Sequence, residues 1–123
     1  MPAYADLESQ EEVEALMSED GEAAIIDFWS PTCGPCMAMA PDFEAVAEVF
    51  DEAPIRFLKL NTAVHGNLAA AFNIRSVPTL LLVHRGEVLD AIVGRVDRGR
   101  LEKRARWLLR RAEGKGLLGR LFG

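Results

Sequence analysis

Cysteine is scarce in this sequence, and the scarcity excludes several kinds of site. The 123 residues contain two cysteines, Cys33 and Cys36, separated by two residues. A structural zinc site needs four ligands, and His65 and His84 lie far downstream at no recognised metal-binding spacing, so zinc is disfavoured. A purely structural disulfide is also disfavoured, because a bridge over so short a loop constrains little of the unfolded chain. A redox-active pair is the remaining interpretation.

Long hydrophobic runs are absent as well. No apolar stretch is long enough to cross a bilayer, and residues 1–6 lack the basic region and apolar core of an export signal. The length and the composition, 50% hydrophobic and 27% charged, fit one globular domain. We therefore expect a cytoplasmic location, where a C-x-x-C pair is more often catalytic than structural.

Basic residues are missing from the first half of the chain. Residues 1–55 contain 14 Asp and Glu and no Lys or Arg, whereas residues 56–123 contain 5 acidic and all 14 basic residues. The net charge of −5 therefore conceals one acidic and one basic pole. We favour solvated faces as the interpretation, with electrostatic steering of partners as the alternative.

The cysteine pair stands between a predicted strand and a predicted helix. The apolar run at residues 23–29 predicts a strand, and a helical pattern follows from Cys36 to Phe50. A helix N-terminus has unpaired N–H groups and partial positive charge, which stabilise a thiolate. We expect Cys33 to ionise readily as the nucleophile and Cys36, shielded in the first turn, to be the resolving thiol.

Asp27 interrupts the apolar run just before the cysteines. Its apolar neighbours favour burial, although an Asp at a strand end that faces water is the alternative. Burial raises the pKa of a carboxyl group, so that it can hold a proton near neutrality. A buried carboxylate beneath a dithiol can take a proton from the second cysteine as that cysteine attacks.

The rest of the chain predicts alternating strands and helices. Lys59 either reaches towards Asp27 or extends its ammonium to solvent from the sheet edge. Pro41 is expected to kink or restart its helix, and Asp97 to cap the last helix, whose Leu101, Ala105, Leu108 and Leu109 face the core. The predicted elements are strands at 4–7, 23–29, 55–60, 77–83 and 88–93, and helices at 9–19, 36–50, 67–73 and from 97 onwards.

The C-terminus carries a separate pattern. We divide the chain into a domain over 1–112 and a basic, apolar tail over 113–123. A helical wheel places Trp107 on the far side from the core, exposed among basic residues. Leucine and phenylalanine recur at helical spacing over 117–122. The tail is either frayed, or residues 107–123 form a docking element for a partner protein or an anionic membrane surface.

Several segments in register resemble the thioredoxin family over roughly residues 4–110. Asp27-Phe28-Trp29, three further residues and Cys33-Gly34-Pro35-Cys36 are similar to the family's active-site signature. The other matching segments are Ala40-Pro41, Lys59-Leu60-Asn61, Arg75-Ser76-Val77-Pro78-Thr79, Gly86-Glu87-Val88 and Val93-Gly94.

The resemblance implies an α/β thioredoxin fold, a mixed five-stranded sheet flanked by four helices, with three strands parallel. It implies a monomer that reduces protein disulfides with electrons from a flavin- and NADPH-dependent thioredoxin reductase. No bound cofactor other than the redox-active disulfide, no metal and no nucleic-acid partner are expected. By position, Cys33 is the attacking thiolate, Cys36 the resolving thiol and Asp27 the proton acceptor assisted by Lys59. Pro78 is implied to be cis, and the implied contact surface consists of Trp29, Gly34, Pro35, Val77, Pro78 and Gly94.

Four positions depart from the family's usual pattern, namely Thr32, Met37, Ser76 and Arg95. They lie around the implied docking surface and leave the cysteines, Asp27 and Pro78 in place. They favour, as an alternative to a general reductant, an oxidoreductase that serves one client or one dedicated reductase. A redox-silent binding subunit and an exported oxidant are the remaining alternatives.

Overall fold

The computed structural model describes the backbone of residues 2–122 and the side chains of residues 2–114. In chain order, its elements are β1 (Tyr4–Asp6), α1 (Gln10–Leu16), β2 (Ala23–Trp29), α2 (Gly34–Val49), β3 (Ile55–Asn61), α3 (Gly66–Ala71), β4 (Thr79–His84), β5 (Glu87–Val93) and α4 (Arg98–Phe122). The strands form one sheet in the order β1-β3-β2-β4-β5. β1, β3 and β2 are parallel, and β4 and β5 each run antiparallel to the preceding strand of the sheet. This confirms the mixed five-stranded sheet with four flanking helices.

β2 is the central strand of the sheet and has core on both sides. Ile25 and Ile26 point to opposite faces, because side chains alternate along a strand, and both are fully buried. This is why residues 23–29 are an almost continuous apolar run rather than an alternating one. β2 pairs with β3 from Ala23↔Ile55 to Trp29↔Asn61, which confirms the predicted parallel pairing.

Two apolar clusters lie on the two faces of the sheet. α2 and α4 cover one face, where Phe43 of α2 packs edge-on against Phe57 of β3 with ring centroids 5.5 Å apart. α1 and α3 cover the other face, where Val13 and Leu68 lie with Phe28. The acidic α1 and the basic α4 are on opposite faces of the sheet, but α2, which has acidic residues and no basic ones, shares the face of α4. The two faces of the sheet therefore do not separate the acidic from the basic charges.

α1 is shorter than the predicted helix at 9–19. Ser9 caps it as expected, since its hydroxyl accepts a hydrogen bond of 3.2 Å from the Glu12 N–H. The helix ends at Leu16, because the chain turns back so tightly that Gly21 packs on the Leu16 carbonyl. A side chain at residue 21 would collide with that carbonyl, so the turn requires glycine.

β4 begins later than predicted. The strand starts at Thr79 rather than at Val77, since Pro78 has no N–H to donate to a neighbouring strand. At its other end, Arg85 and Gly86 both have positive φ, 51° and 78°, and join β4 to β5 in a hairpin. Positive φ at both turn residues is the geometry that favours a two-residue hairpin loop.

α4 begins as predicted but places Trp107 differently. The Asp97 carboxylate accepts a hydrogen bond of 2.8 Å from the Arg100 N–H and so caps the helix. Trp107 is partly buried against the core, with the Arg104 guanidinium 4.4 Å from its ring centroid. The prediction of an exposed Trp107 is therefore wrong, because α4 lies on the sheet with a wider face than the wheel suggested.

The backbone of α4 continues across residue 112, so the division into a domain and a tail stays a prediction. The side chains of the apolar pattern at 117–122 lie outside the described residues. No helix within the described residues combines the length and the apolar character of a membrane span.

Candidate active site

The two cysteines lie at the junction of β2 and α2, as the sequence predicts. Cys33 is the N-cap residue of α2, with extended backbone angles of φ −93° and ψ 109°. Its Sγ accepts a hydrogen bond of 3.2 Å from the Cys36 backbone N–H, and the two sulfurs form a disulfide. The helix N-terminus therefore directs one of its free donors at the sulfur of the first cysteine.

The two sulfurs differ in access to solvent. Cys33 is partly exposed, whereas Cys36 is 2% exposed and belongs to the first turn of α2. Gly34 and Pro35 between them are exposed. An incoming disulfide can thus reach Cys33 more readily than Cys36. The division into nucleophile and resolving thiol stays a prediction.

The segment before β4 forms one wall of the site. The Val77–Pro78 peptide bond is cis, as the resemblance implies. The Val77 carbonyl oxygen lies 3.7 Å from Cys33 Sγ, a separation at which a reduced Cys33 thiol can donate to it. The Gly94 N–H donates a hydrogen bond of 2.9 Å to the Pro78 carbonyl, so the residues after β5 meet those before β4. Three distant parts of the sequence thus converge on the dithiol.

Asp27 is buried, and the alternative of a water-facing strand end is wrong. It is 1% exposed, and its Oδ1 has no hydrogen-bond partner among residues 2–114. Burial raises the pKa of Asp27 from 3.8 to about 7, and the positive charge of Lys59 acts in the opposite direction. Asp27 lies on the same face of β2 as Ile25, which is the face that α2 covers. A carboxyl group poised near neutrality is therefore placed beneath the helix that carries the dithiol.

Lys59 lies opposite Asp27 in the β2–β3 register. β3 is between β1 and β2, and Lys59 is 8% exposed, so a lysine extended from the sheet edge is the wrong alternative. Its ammonium does not come within 4.0 Å of a carboxylate of any described residue, and lies instead over aromatic rings. The lysine acts on Asp27 through its charge rather than through a direct ion pair.

Val93 and Met37 both stand out in the sequence, but the predicted contact residues do not include these apolar side chains. Val93 is 72% exposed at the end of β5, next to Gly94 and opposite Thr79. Met37, in the first turn of α2, is 49% exposed. The Val93-Gly94 pair at the end of a predicted strand is the signal that could have placed Val93 on the contact surface. An exposed apolar rim next to a reactive sulfur is suited to contact with protein segments.

The remaining predicted contact residues are distributed around this rim. Trp29 is partly buried and ends β2, and its indole nitrogen is covered. Val77 is partly buried, Pro78 is buried and Gly94 has φ of 93°. No group of three or more His, Cys, Asp or Glu side chains within residues 2–114 is arranged to hold a metal ion.

Comparison with known proteins agrees with this geometry. The thioredoxin family model matches residues 5–106. A thioredoxin of Porphyra purpurea is 41% identical over 78 residues, which cover 63% of this chain and 72% of that protein. A thioredoxin of Chlorobaculum thiosulfatiphilum is 35% identical over 86 residues, covering 70% and 79% respectively. The solved structure of a mutant thioredoxin from Halobacterium salinarum superposes with a TM-score of 0.76 at 28% identity, covering 88% of this chain and 93% of that one.

A partly exposed cysteine at a helix N-terminus, disulfide-bonded to a buried one and placed over a buried carboxyl group, defines a thiol–disulfide oxidoreductase. The chain belongs to the thioredoxin family. It is a protein-disulfide reductant that works through the Cys33–Cys36 pair.

Proposed function

We propose that this protein carries electrons from a flavin- and NADPH-dependent thioredoxin reductase to the disulfides of client proteins in the cytoplasm. The observation that supports this most directly is the position of Cys33, whose sulfur is partly exposed at the N-cap of α2 and bonded to the buried Cys36. Relatives named thioredoxin support the same role.

In the first step, the reduced Cys33 thiolate attacks one sulfur of a client disulfide. A bond forms between Cys33 Sγ and that sulfur, and the client's other sulfur leaves as a thiolate, which takes a proton from water. The Cys36 N–H and the N-terminus of α2 stabilise Cys33 as a thiolate before the attack.

In the second step, Cys36 resolves the mixed disulfide. Its thiol loses a proton to the Asp27 carboxylate, and the resulting thiolate attacks Cys33 Sγ. The Cys33–Cys36 disulfide forms, and the client's second sulfur leaves as a thiolate. One client disulfide has then been reduced to two thiols and one dithiol of this chain oxidised. A pKa of about 7 suits Asp27 to accept and return this proton near neutral pH.

Client proteins contact the surface around Cys33. This surface consists of the exposed Gly34 and Pro35, the Val77–Pro78 segment, Gly94 and Trp29. The geometry that supports it is the 3.7 Å approach of the Val77 carbonyl to Cys33 Sγ, together with the Gly94 to Pro78 hydrogen bond.

The proposal is tested by insulin reduction with NADPH and a heterologous thioredoxin reductase. The protein is expected to support turnover, Cys33→Ser to abolish it, and Cys36→Ser to accumulate a mixed disulfide with insulin. A protein that reduces DTNB when chemically reduced but accepts no electrons from the reductase contradicts the carrier role.

A second candidate is a specialised oxidoreductase for one client or one dedicated reductase. The exposed Met37, Ser76 and Arg95, which depart from the family's usual residues at the rim, favour it. This candidate predicts that the unmodified protein reduces DTNB readily but reduces insulin slowly. It also predicts that Met37→Lys or Arg95→Ala increases the rate of insulin reduction.

Redox potential separates both candidates from an oxidant. A reductant of this kind is expected near roughly −270 mV, the value of thioredoxin itself, after equilibration with glutathione. A value near about −120 mV, which is typical of a strong oxidant, would reverse the direction of the proposed reaction.

A further inference from the structure

The ammonium group of Lys59 lies between two aromatic rings. Lys59 Nζ is 4.8 Å from the centroid of the Trp29 ring and 5.2 Å from that of the Tyr4 ring. Both separations are within the range of about 6 Å at which a cation is attracted to a ring face. The lysine is 8% exposed, so water does not solvate the cation as it would at an open surface.

The sheet brings this arrangement together from three strands. Tyr4 belongs to β1, Lys59 to β3, and Asp27 and Trp29 to β2, and these three strands are adjacent. Tyr4 is opposite Phe57 in the register, two residues before Lys59, so its side chain lies on the same face as the lysine. That face is also the one that carries Asp27.

The charged groups around Lys59 come from each neighbouring element. Asp6 of β1 and Asp27 of β2 are its two register partners. Glu44 of α2 lies beside the Tyr4 hydroxyl and raises the pKa of Tyr4, through a hydrogen bond and through its charge. The ammonium does not come within 4.0 Å of any of these three carboxylates. The two ring faces, and not an ion pair, therefore fix where the positive charge lies.

We infer that Tyr4 is a positioning residue for disulfide exchange, since it and Trp29 hold the Lys59 ammonium at a fixed place beside the Asp27 carboxyl group. This inference rests on the proposed proton-accepting role of Asp27. The charge of Lys59 opposes the effect of burial on Asp27, so its location decides how far the carboxyl group stays protonated at neutral pH. Without the Tyr4 ring, the flexible lysine side chain extends towards water, and its charge acts less strongly on Asp27.

The test compares Tyr4→Leu, which removes the ring but keeps an apolar side chain, with Tyr4→Phe, which keeps the ring and removes the hydroxyl. The titration midpoint of the Asp27 carboxyl carbon is followed by NMR, and the pH profile of insulin reduction is measured in parallel. Tyr4→Leu is expected to raise the midpoint by about half a pH unit or more and to move the pH profile in the same direction. Tyr4→Phe is expected to leave both where they are.

Lys59→Met supplies the decisive control. If Tyr4 acts through the lysine, then adding Tyr4→Leu to Lys59→Met moves the Asp27 midpoint no further. Tyr4→Met, which also lacks a ring, replaces Tyr4→Leu if that variant fails to give a folded circular dichroism spectrum.

Three results would overturn the inference. They are an unmoved midpoint in the ring-less variant, equal shifts in Tyr4→Leu and Tyr4→Phe, and a full further shift on the Lys59→Met background. A midpoint that moves while the pH profile of insulin reduction does not would uphold the positioning of Lys59 and instead refute the proton role of Asp27.

Discussion

The Cys36 backbone N–H donates a hydrogen bond of 3.2 Å to Cys33 Sγ. This donor is one of the N–H groups at the start of α2 that have no partner within the helix, and it stabilises negative charge on the sulfur. We expect the Cys33 thiol, titrated by thiolate absorbance in Cys36→Ser, to show a pKa well below the free-thiol value of about 8.5. A value of roughly 7 is typical of thioredoxin itself.

Cys33→Ser is the matched control for this titration. Its remaining thiol, Cys36, is 2% exposed and is expected to ionise only at higher pH, because burial disfavours the thiolate. If the two single-cysteine proteins titrate alike, the assignment of Cys33 as nucleophile is wrong.

Asp27 makes the stability of the protein depend on pH in a particular direction. An unfolded Asp titrates near about 3.9, whereas the folded pKa of Asp27 is about 7. Between these values the unfolded chain releases the proton and the folded chain keeps it, so the free energy of unfolding falls as the pH rises and levels off above 7. The fall is on the order of 4 kcal/mol. Urea unfolding of the oxidised protein at pH 5 and pH 8 measures the part of the fall that lies above pH 5, roughly 2.5 kcal/mol.

Asp27→Asn is expected to fold, to lack this fall and to be more stable than the wild type at pH 8. The amide has nearly the same shape but cannot accept a proton from Cys36, so insulin reduction is expected to slow near neutral pH. If wild type and Asp27→Asn lose equal stability between pH 5 and 8, the Asp27 carboxyl group does not cause the pH dependence. If Asp27→Asn reduces insulin at the wild-type rate, the carboxyl group has no proton role.

Val93 offers a test of the contact surface that leaves the chemistry intact. Its side chain is 72% exposed beside Gly94, so Val93→Glu is expected to fold normally. A charge there should raise the KM for insulin about fivefold, roughly 1 kcal/mol, and leave DTNB reduction unchanged. Val88→Glu is the control, because Val88 is 50% exposed near the opposite end of the same strand. If both variants behave alike, the effect reflects net charge rather than contact.

The prediction about the C-terminus is based on the basic outer face of α4. Six arginine and lysine residues are exposed on it, namely Arg98, Arg100, Lys103, Arg106, Arg110 and Arg111. Such a face is complementary to an anionic lipid surface, and the apolar pattern of the following residues adds to it. Deleting residues 114–123 is expected to leave DTNB reduction unchanged and to weaken binding to vesicles that contain anionic lipid. Undiminished vesicle binding, or loss of the folded circular dichroism spectrum in the truncated protein, would contradict a docking tail.

The central strand and the dithiol could be predicted because their signals are local. The apolar run at 23–29 is short enough to favour a buried strand, and a cysteine pair directly before a helical pattern indicates a helix N-terminus. The end of α1 could not be placed in the same way, because it depends on Gly21 packing on the Leu16 carbonyl. This contact forms within the turn that joins α1 to β2. Periodicity alone carries no information about such a contact.

The surroundings of Lys59 could not be predicted for a related reason. Whether the Lys59 side chain reaches towards Asp27 or towards solvent depends on which strands lie beside β3. Neither alternative included the ring of Tyr4, which comes from β1. The prediction for Trp107 is wrong because a helical wheel shows the direction in which each side chain points, but not how wide a strip of the helix is buried against the rest of the domain. Both errors concern contacts between elements far apart in sequence.

The position of β2 at the middle of the sheet has a consequence for how the protein loses activity. Its backbone amides are hydrogen-bonded from both sides, so they should exchange with deuterium only when the whole domain opens, whereas the short β1 and the exposed β5 open separately. The cysteine loop begins at the end of this slowest-exchanging strand. Fraying of the sheet edges therefore leaves the dithiol anchored until the final cooperative unit unfolds, whereas the contributions of Gly94 and Tyr4 are lost as soon as β5 and β1 open.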